Sequence, residues 1–395
     1  MLMERPAPEH LYVHVPFCRL VCAYCDFVTV GGRADDIPRY TDALVAEIGL
    51  RDAPGELRTI YFGGGTPSLL SGEQLATVIR TATDRWGATR LEEVTLEANP
   101  SRREVPDWAG LRGAGVNRIS LGVQSLRDEE LHALARGHTA AEARDAFAAA
   151  RAAGFDNISI DLIYGIPGQS LDDWRAGLHE ALALEPDHLS CYALQLALEP
   201  DEWAAPPRPG ALRWRERTAP RQDEELAAEQ YRAAEELLDA AGYHHYELSS
   251  WALPGRESRH NGAYWARRAY TGVGAGAHSF DGATQRSWNE RDLDRYLVGV
   301  EAGVRPMAGS EGLDEPTRAF EAIALGLRRV AGLERAAFAA EFGVDPVERF
   351  SSALEDAAGG GLLEIAQNCI RLSARGRLLA SEVLVALAPE PAPSR

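Results

Sequence analysis

Six short apolar runs, rich in β-branched residues, alternate with helical segments through the first two hundred residues of this 395-residue chain. The predicted strands are Leu11–Phe17, Thr59–Phe62, Val94–Ala98, Arg118–Val123, Ile158–Tyr164 and His188–Leu196. Strands that alternate with helices form parallel βαβ units, so a doubly wound sheet and a partial barrel both fit. Polar and glycine residues follow nearly every strand, at the end where (β/α) barrels build their active sites. We therefore predict an α/β fold with a partial (β/α)6, TIM-like barrel.

The alternation of strands and helices ends after the sixth predicted strand, and this change marks the first domain boundary. We predict a barrel core over residues 1–222, ending in a proline-rich linker at 197–222. An extension of the barrel is expected over 223–308. Residues 309–388 read as a small α+β domain similar to a winged helix, and 389–395 as a disordered tail.

Three of the five cysteines, Cys18, Cys22 and Cys25, lie in one loop after the first predicted strand. Closely spaced Cys thiolates hold iron–sulfur clusters, so the C-x3-C-x2-C spacing favours a cubane cluster with one open iron. A zinc site needs four ligands, and its fourth would have to come from His14 or from a distant residue. Disulfides fit poorly, because three clustered and two distant thiols do not form an even framework.

Composition excludes several classes of function. The net charge of −18 argues against a nucleic-acid binder, which would carry a basic stripe. No apolar run is long enough to span a membrane, and the N-terminus has no apolar signal segment, so we expect a cytoplasmic protein. The chain contains no lysine, which excludes a Schiff base and a phosphate-loop lysine.

Polar and glycine residues at the strand ends form a candidate pocket. Consecutive glycines in Gly63–Pro67 let a ligand approach the backbone, although a tight turn without a ligand explains them equally. Glu97, Gln124 and Asp161 lie at or near three further strand ends, and Arg136 follows the fourth strand. Each is unremarkable alone. Together they would offer hydrogen-bond partners for a nucleoside and an amino acid.

A second candidate motif is His260-Asn261-x-x-Tyr264-Trp265. Histidine is the usual proximal ligand of haem iron, and aromatic rings suit a flat ligand. A structural histidine among core aromatic residues is the competing interpretation, and the residues alone leave both open.

Several motifs resemble those of the radical S-adenosylmethionine (SAM) superfamily, in the branch of oxygen-independent coproporphyrinogen III oxidase. The motifs are the cysteine loop with its Tyr24, Tyr12–Cys18, the glycine loop, Val94–Pro100, Gly122–Ser125, Leu134–His138, Asp161–Gln169 and the C-terminal domain. This resemblance covers nearly the full chain and implies the radical SAM form of the partial barrel.

The resemblance implies two cofactors. Cys18, Cys22 and Cys25 would hold a [4Fe–4S] cluster whose open iron is chelated by SAM. The implied SAM contacts are Tyr12, Tyr24, Gly64, Gly65, Thr66, Glu97, Gln124, Arg136 and Asp161. An electron from the cluster would cleave SAM to methionine and a 5′-deoxyadenosyl radical.

Two departures separate the chain from the oxidase pattern. Phe27 stands where the oxidase has a fourth cysteine, and only a short segment precedes the first strand, where the oxidase has a long extension. These features and the His260–Trp265 motif resemble the HemW-type haem chaperones. The implied function is to bind haem and pass it to acceptor proteins such as respiratory haem enzymes. His260 would be the haem ligand, with Asn261, Tyr264 and Trp265 beside it.

The alternative is a coproporphyrinogen III dehydrogenase, which decarboxylates two propionate side chains oxidatively in porphyrin biosynthesis. A third hypothesis, a winged-helix regulator with a redox-sensing cluster, needs a basic recognition surface that this acidic sequence does not offer. Contact with a membrane surface and a homodimer are expectations that the sequence leaves open.

Overall fold

The computed structural model describes residues 8–52, 55–101, 104, 107–196 and 209–389. The described strands are β1 (His10–Val15), β2 (Phe17–Cys18), β3 (Val30–Gly31), β4 (Thr59–Gly64), β5 (Glu93–Ala98), β6 (Arg118–Gln124), β7 (Ile158–Tyr164), β8 (His188–Ala193), β9 (His244–Glu247), β10 (Ser250–Ala252), β11 (Tyr270–Val273), β12 (His278–Phe280), β13 (Gln285–Asn289), β14 (Met307–Gly312), β15 (Leu333–Glu334), β16 (Leu363–Ile365) and β17 (Cys369–Leu372).

The described α-helices surround these strands. They are α1 (Ile37–Leu50), α2 (Gly72–Trp86), α3 (Trp108–Gly113), α4 (Asp128–Ala133), α5 (Ala140–Ala152), α6 (Leu171–Ala183), α7 (Pro209–Thr218), α8 (Glu224–Ala240), α9 (Arg259–Trp265), α10 (Leu293–Glu301), α11 (Glu315–Arg328), α12 (Arg335–Phe342), α13 (Pro346–Arg349), α14 (Ser351–Gly359), α15 (Ala374–Leu378) and α16 (Ala380–Leu387). Almost all of the predicted tail lies outside the described residues.

One sheet of twelve strands dominates the described part of the chain, in the order β14-β13-β12-β11-β1-β4-β5-β6-β7-β8-β10-β9. All neighbours from β11 through β8 run parallel. The strands outside this block are antiparallel. The six predicted strands are present in this parallel block, which confirms the α/β fold. Strands from the predicted extension lengthen the sheet at both edges.

Local sequence explains why several covering helices begin where they do. Three of them open with a capping box, in which the N-cap side chain and the third helical residue satisfy each other's backbone N–H groups. The pairs are Ser71 with Gln74, Thr139 with Glu142, and Ser170 with Asp173. Each cap contributes about 1 kcal/mol to helix stability.

The two faces of the parallel strands differ in polarity. One face carries apolar side chains such as Ile119, Leu121 and Ile160, which are fully buried against the helices. Because side chains alternate across a strand, the other face collects the polar positions. Those positions include Thr59, Tyr61, Glu93, Thr95, Glu97, Arg118, Ser120, Gln124, Ser159, Asp161, His188 and Ser190. A polar inner face of this kind is suited to a binding cavity rather than to a packed barrel core.

A second hydrophobic core marks the C-terminal domain. Ile323, Leu354 and Ile370 are fully buried in it, apart from the main core. Its three-stranded sheet has the order β15-β17-β16 and is covered by helices from α11 to α16. The predicted α+β unit is therefore present, and its helices α13 and α14 meet at Phe350.

The prediction of a linker over 197–222 is wrong in its second half, where α7 forms a helix from Pro209 to Thr218. Several prolines in this region favour a loop in the sequence. Proline at the first position of a helix is instead compatible with helix formation, because that position has no N–H to lose. Residues 197–208 lie outside the described part of the chain.

Candidate functional site

The cysteine loop follows β1 and is held by the short strand pair β2 and β3. Cys18 lies on β2 opposite Gly31, and the Cys25 backbone N–H donates to the Cys22 carbonyl over 3.2 Å. All three thiols are free and half-buried. They line one cavity of about 360 Å³, which we call the cysteine cavity. The loop thus presents three thiols to a shared space.

Two polar side chains reach the sulfur atoms. The Thr66 hydroxyl lies 3.6 Å from the Cys18 Sγ, and the Arg136 Nη1 lies 3.1 Å from the Cys22 Sγ. Burial raises the pKa of Cys18 to about 12 and that of Cys25 to about 11. A buried thiolate is costly without a neighbouring cation, and a bound metal centre reverses that preference.

The number of thiols bears on the kind of metal centre. A structural zinc site takes four ligands at one position. A cubane cluster makes a different demand, since each thiolate binds a separate iron atom. Three free thiols that line one cavity meet that demand.

The cysteine cavity gathers most of the residues predicted to contact SAM. Eight of the nine line it: Tyr24, Gly64, Gly65, Thr66, Glu97, Gln124, Arg136 and Asp161. Tyr12 is the ninth and does not line the cavity. Its ring stacks on Tyr61, with 6.2 Å between centroids, and its hydroxyl lies 3.0 Å from the His14 Nδ1. Tyr12 can therefore act on the cavity through Tyr61.

Glu97 lies on the cavity wall at the end of β5. Its carboxylate accepts hydrogen bonds from the Tyr61 hydroxyl (2.7 Å) and from the Gly64 N–H (3.0 Å). Burial raises the pKa of Glu97 to about 7, and these two hydrogen bonds oppose the rise only in part. A carboxylate that becomes charged near neutral pH in a buried wall is well placed to receive a cationic ligand group.

Asp161 stands inside β7 and faces the same cavity. The Ser120 hydroxyl donates to its Oδ2 over 2.9 Å, and the Ser159 hydroxyl donates to its Oδ1 over 3.2 Å. Burial raises the pKa of Asp161 despite these donors. The partners that a buried carboxylate requires are therefore hydroxyls of its own and the neighbouring strand.

The glycine loop is required by packing as well as by the cavity. A Cβ atom on Gly64, whose φ is +115°, would lie 2.5 Å from the His14 ring. A Cβ atom on Gly65 would lie 2.6 Å from the Phe17 carbonyl oxygen. The loop must press against the segment that leads into the cysteines, so only glycine fits there. The packing thus accounts for the glycines, and the ligand-binding interpretation stays a prediction.

Two residues that line the cysteine cavity, Arg118 and His188, were not predicted from the sequence. Arg118 and His188 line the cavity near the amino ends of β6 and β8, and both are almost fully buried. The alternation of side chains along a strand could have revealed them. Arg118 stands two residues before Ser120, and His188 two residues before Ser190, and both serines also line the cavity.

Arg215 on α7 was also missed. Its side chain is 2% exposed. The Nε donates to the Ala23 carbonyl (3.1 Å), the Nη2 donates to the Cys25 carbonyl (3.0 Å), and the guanidinium pairs with Asp26 at 2.6 Å. No local pattern could have revealed this contact, since Arg215 is 190 residues from Cys25 along the chain. Arg215 fixes the backbone of the cysteine loop.

His260 is fully buried on α9, below the amino ends of the parallel strands. The pairs His260 Nδ1–Thr59 Oγ1 (2.7 Å) and His260 Nε2–Tyr264 OH (2.9 Å) engage both ring nitrogens. Burial lowers the pKa of His260 well below its usual range. The Glu93 carboxylate accepts the Arg259 and His260 backbone N–H groups over 2.9 and 3.1 Å. Helix α9 therefore packs against the amino ends of β4 and β5.

The four residues predicted to bind haem do not share one cavity. Asn261 lines the cysteine cavity. Tyr264 and Trp265 line a second cavity, described below. Haem ligation by His260 would require one of its two side-chain hydrogen bonds to break, because they engage both ring nitrogens.

The parallel sheet, the three-thiol loop and the polar cavity together define a radical SAM protein. In agreement, the chain matches the Radical SAM superfamily over residues 12–181 and the HemN C-terminal domain over residues 313–379. The superfamily implies a [4Fe–4S] cluster and SAM as cofactors, and the thiols and cavity of this chain fit both.

Similar proteins of known name show which family of radical SAM proteins this chain belongs to. The heme chaperone HemW of Mycobacterium tuberculosis is 38% identical over 386 residues, which cover 95% of this chain and 94% of that protein. The Bacillus subtilis heme chaperone HemW is 34% identical over 390 residues, which cover 96% and 99% of the two chains. That of Escherichia coli is 32% identical over 392 residues, which cover 97% and 98%. This chain belongs to the HemW family of radical SAM proteins.

A solved structure supports the fold. Coproporphyrinogen III oxidase (HemN) from Escherichia coli matches with a TM-score of 0.82, over 99% of this chain and 92% of that chain. The two sequences are only 22% identical, so this likeness speaks for the fold alone.

Proposed function

We propose that this protein is a haem chaperone, which binds haem and passes it to acceptor proteins. One observation carries the proposal: the identity of 32–38% with proteins named heme chaperone HemW extends over nearly the whole length of both chains. Respiratory haem enzymes are the class of acceptor that we propose.

The cysteine cavity is the proposed cofactor site. Cys18, Cys22 and Cys25 would hold the cluster, and the cluster supplies the electron with which radical SAM proteins cleave SAM. The nine predicted SAM positions would hold SAM, eight from the cavity wall and Tyr12 through Tyr61. Within this proposal Glu97 accepts the cationic amino group of SAM, because its carboxylate is the buried anion next to the glycine loop.

Haem contact by His260, Asn261, Tyr264 and Trp265 stays a prediction, and Tyr264 and Trp265 are the two of them that line one cavity together. The burial of His260 supports a positioning role for this residue: it fixes α9, from which Tyr264 and Trp265 reach a cavity wall. Direct ligation of the iron by His260 stays a separate prediction, since one ring nitrogen would first have to give up its hydrogen bond.

Coproporphyrinogen III oxidation is the alternative. Phe27 replaces the fourth cysteine of the oxidase pattern, and its side chain is 68% exposed beside the cysteine loop. An exposed phenyl ring cannot replace a thiol in metal binding or in redox chemistry. Oxidase activity is therefore not part of the proposal.

Location and assembly belong to the same proposal. We propose a cytoplasmic location for the protein. None of the described helices is long and apolar enough to cross a membrane. Peripheral membrane contact and a homodimer stay predictions, which vesicle flotation and analytical ultracentrifugation would measure.

One preparation tests the function. The full chain is reconstituted anaerobically with iron, sulfide and SAM, and is titrated with haem while the Soret absorbance is followed. The loaded protein is then mixed with an apo haem protein as acceptor. We expect saturable haem binding and transfer to the acceptor, with no conversion of coproporphyrinogen III under reducing conditions. Absence of haem binding, or turnover to protoporphyrinogen IX, would refute the proposal.

A further inference from the structure

A second cavity of about 400 Å³ lies between α9, the antiparallel strands β11 to β13, and α11 of the C-terminal domain. We call it the arginine cavity. Its volume lies within the range typical of small-molecule sites. It is distinct from the cysteine cavity, because the two share no lining residue.

Aromatic rings form much of its wall. Tyr264, Trp265, Tyr270 and Phe280 all line it. The Tyr264 and Tyr270 rings meet edge to face at 4.7 Å between centroids, and the Tyr270 and Phe280 rings lie 6.5 Å apart. Rigid aromatic surfaces of this kind favour a flat, apolar ligand.

The same wall is cationic in an otherwise acidic protein. Arg267, Arg268 and Arg286 line the cavity, against one carboxylate, that of Glu321. Arg286 is already paired with Glu321 and with Glu311. Arg268 is exposed at the rim. Arg267 and Arg318 share Glu341. Four arginines therefore face three carboxylates here, and the charge left for a ligand is positive, in contrast with the net charge of −18 of the chain.

Arg267 supplies the most specific feature. Its side chain is only 9% exposed, and its φ of 50° places it in the left-handed region that non-glycine residues rarely adopt. The Nη1 donates to both carboxylate oxygens of Glu341, over 3.0 and 2.9 Å. The Nε and Nη2 are buried and have no hydrogen-bond partner among the described residues.

Buried donors without partners are costly, and a guanidinium edge matches a carboxylate in geometry. Arg267 lines a cavity with aromatic walls, and a rotation of its side chain would bring this edge, which is now covered, to the cavity surface. A ligand that satisfies both features has a flat apolar ring system and a carboxylate at its margin.

We propose that the arginine cavity binds the ring of a planar carboxylate-bearing macrocycle and that Arg267 receives one of its carboxylates through Nε and Nη2. The inference rests on the proposed function, in which that macrocycle is haem. It assigns the haem ring to the outer side of α9 and not to the position of His260.

The test compares haem affinities of the reconstituted full-length protein and of two variants, by Soret titration. Arg267→Gln removes the charged edge, and Leu325→Trp fills the cavity from α11. We expect each variant to bind haem at least tenfold more weakly. Haem dimethyl ester, which lacks free carboxylates, should bind the wild type about as weakly as haem binds Arg267→Gln.

Arg329→Gln is the matched control, since Arg329 is exposed just beyond the end of α11 and should leave affinity unchanged. Wild-type affinity for haem in Arg267→Gln or in Leu325→Trp would overturn the inference and leave the proposed function standing. A wild type that binds no haem would instead remove the proposed function, and this inference with it. Circular dichroism and melting temperature confirm that each variant is folded.

Discussion

The Nη1 nitrogen of Arg136 lies 3.1 Å from the sulfur of Cys22. Its Nη2 donates to the Gly122 carbonyl over 2.8 Å, which fixes the guanidinium in place. Hydrogen bonds and positive charge near cluster sulfurs raise the reduction potential, because they stabilise the added electron. Arg136→Gln should therefore lower the cluster potential on the order of 50 mV, measured by an EPR-monitored redox titration.

Two variants accompany that measurement. Arg136→Lys keeps the positive charge and should give a smaller decrease. Arg127→Gln removes an arginine that pairs with Asp173 away from the sulfurs, and should leave the potential unchanged. An identical potential in Arg136→Gln and the wild type would show that this contact does not persist with the cluster bound.

The contacts between Arg215 and the cysteine loop lead to a second prediction. Replacing Arg215 with Gln removes hydrogen bonds to two loop carbonyls and the ion pair with Asp26. Hydrogen bonds to charged groups contribute roughly 1.5–3 kcal/mol each, so the loop should open far more often. We expect iron loss to a chelator to accelerate by tenfold or more, on the order of the factor that 1.4 kcal/mol represents.

Arg213→Gln is the control for this experiment, because Arg213 is exposed on the same helix. Iron release at the wild-type rate from Arg215→Gln would mean that the loop is held by the cluster alone.

Glu97 predicts an unusual dependence of stability on pH. Burial raises its pKa from 4.5 to about 7, so the folded protein holds this proton more tightly than the unfolded chain. Stability is therefore lost as pH rises from the unfolded pKa to the folded pKa. Between pH 6 and pH 8 this loss amounts to about 1 kcal/mol. Glutamine does not ionise, so the Glu97→Gln variant should not lose this stability. The free energy of unfolding of the variant should therefore rise by about 1 kcal/mol relative to that of the wild type between pH 6 and pH 8.

Denaturant titrations of the SAM-free protein at the two pH values measure this difference. Glu129→Gln, at an exposed position, should follow the wild type. The same Glu97→Gln variant should bind SAM more weakly, because the carboxylate is lost. A stability difference that does not change with pH would show that Glu97 ionises normally.

His260→Ala should destabilise the fold before it affects any ligand. The change creates a cavity and leaves the Tyr264 hydroxyl and part of the Thr59 network without a partner. Such losses cost about 2–4 kcal/mol. A decrease in melting temperature checks this expectation. Iron ligation by His260 would in addition shift the Soret maximum of the haem complex.

Thr59→Ala separates the two roles, since it removes a hydrogen-bond partner and keeps the imidazole. It should reproduce part of the destabilisation and leave the haem spectrum unchanged. A melting temperature equal to that of the wild type in His260→Ala would contradict the structural role.

The sequence-based predictions succeeded where the signal is local. The apolar, β-branched runs and the polar and glycine residues that follow them are read over a few residues. They located the parallel strands and the positions of Glu97, Gln124 and Asp161 at the cavity. The spacing of the three cysteines is local as well. These features follow from backbone geometry within single elements.

The failures involve contacts between distant segments. Arg215 meets Cys25 across 190 residues, and the His260 ring meets Thr59 across 201 residues. The residues next to His260 in the sequence do not show whether its side chain is buried or exposed. The burial that occupies both its ring nitrogens arises only when α9 packs under the sheet. The arginine cavity likewise forms from three separate regions of the chain.

Helix α9 belongs to both cavities at once. Asn261, near its start, lines the cysteine cavity, and Tyr264 and Trp265, at its end, line the arginine cavity. A seven-residue helix is too short to bend between these positions, so a displacement at one end moves the other. If a ligand in either cavity shifts the helix, it changes the affinity of the other cavity, and thermodynamic reciprocity makes the two effects equal. Under the proposed function, such a shift links SAM binding to the affinity for haem, which gives a carrier a signal for release.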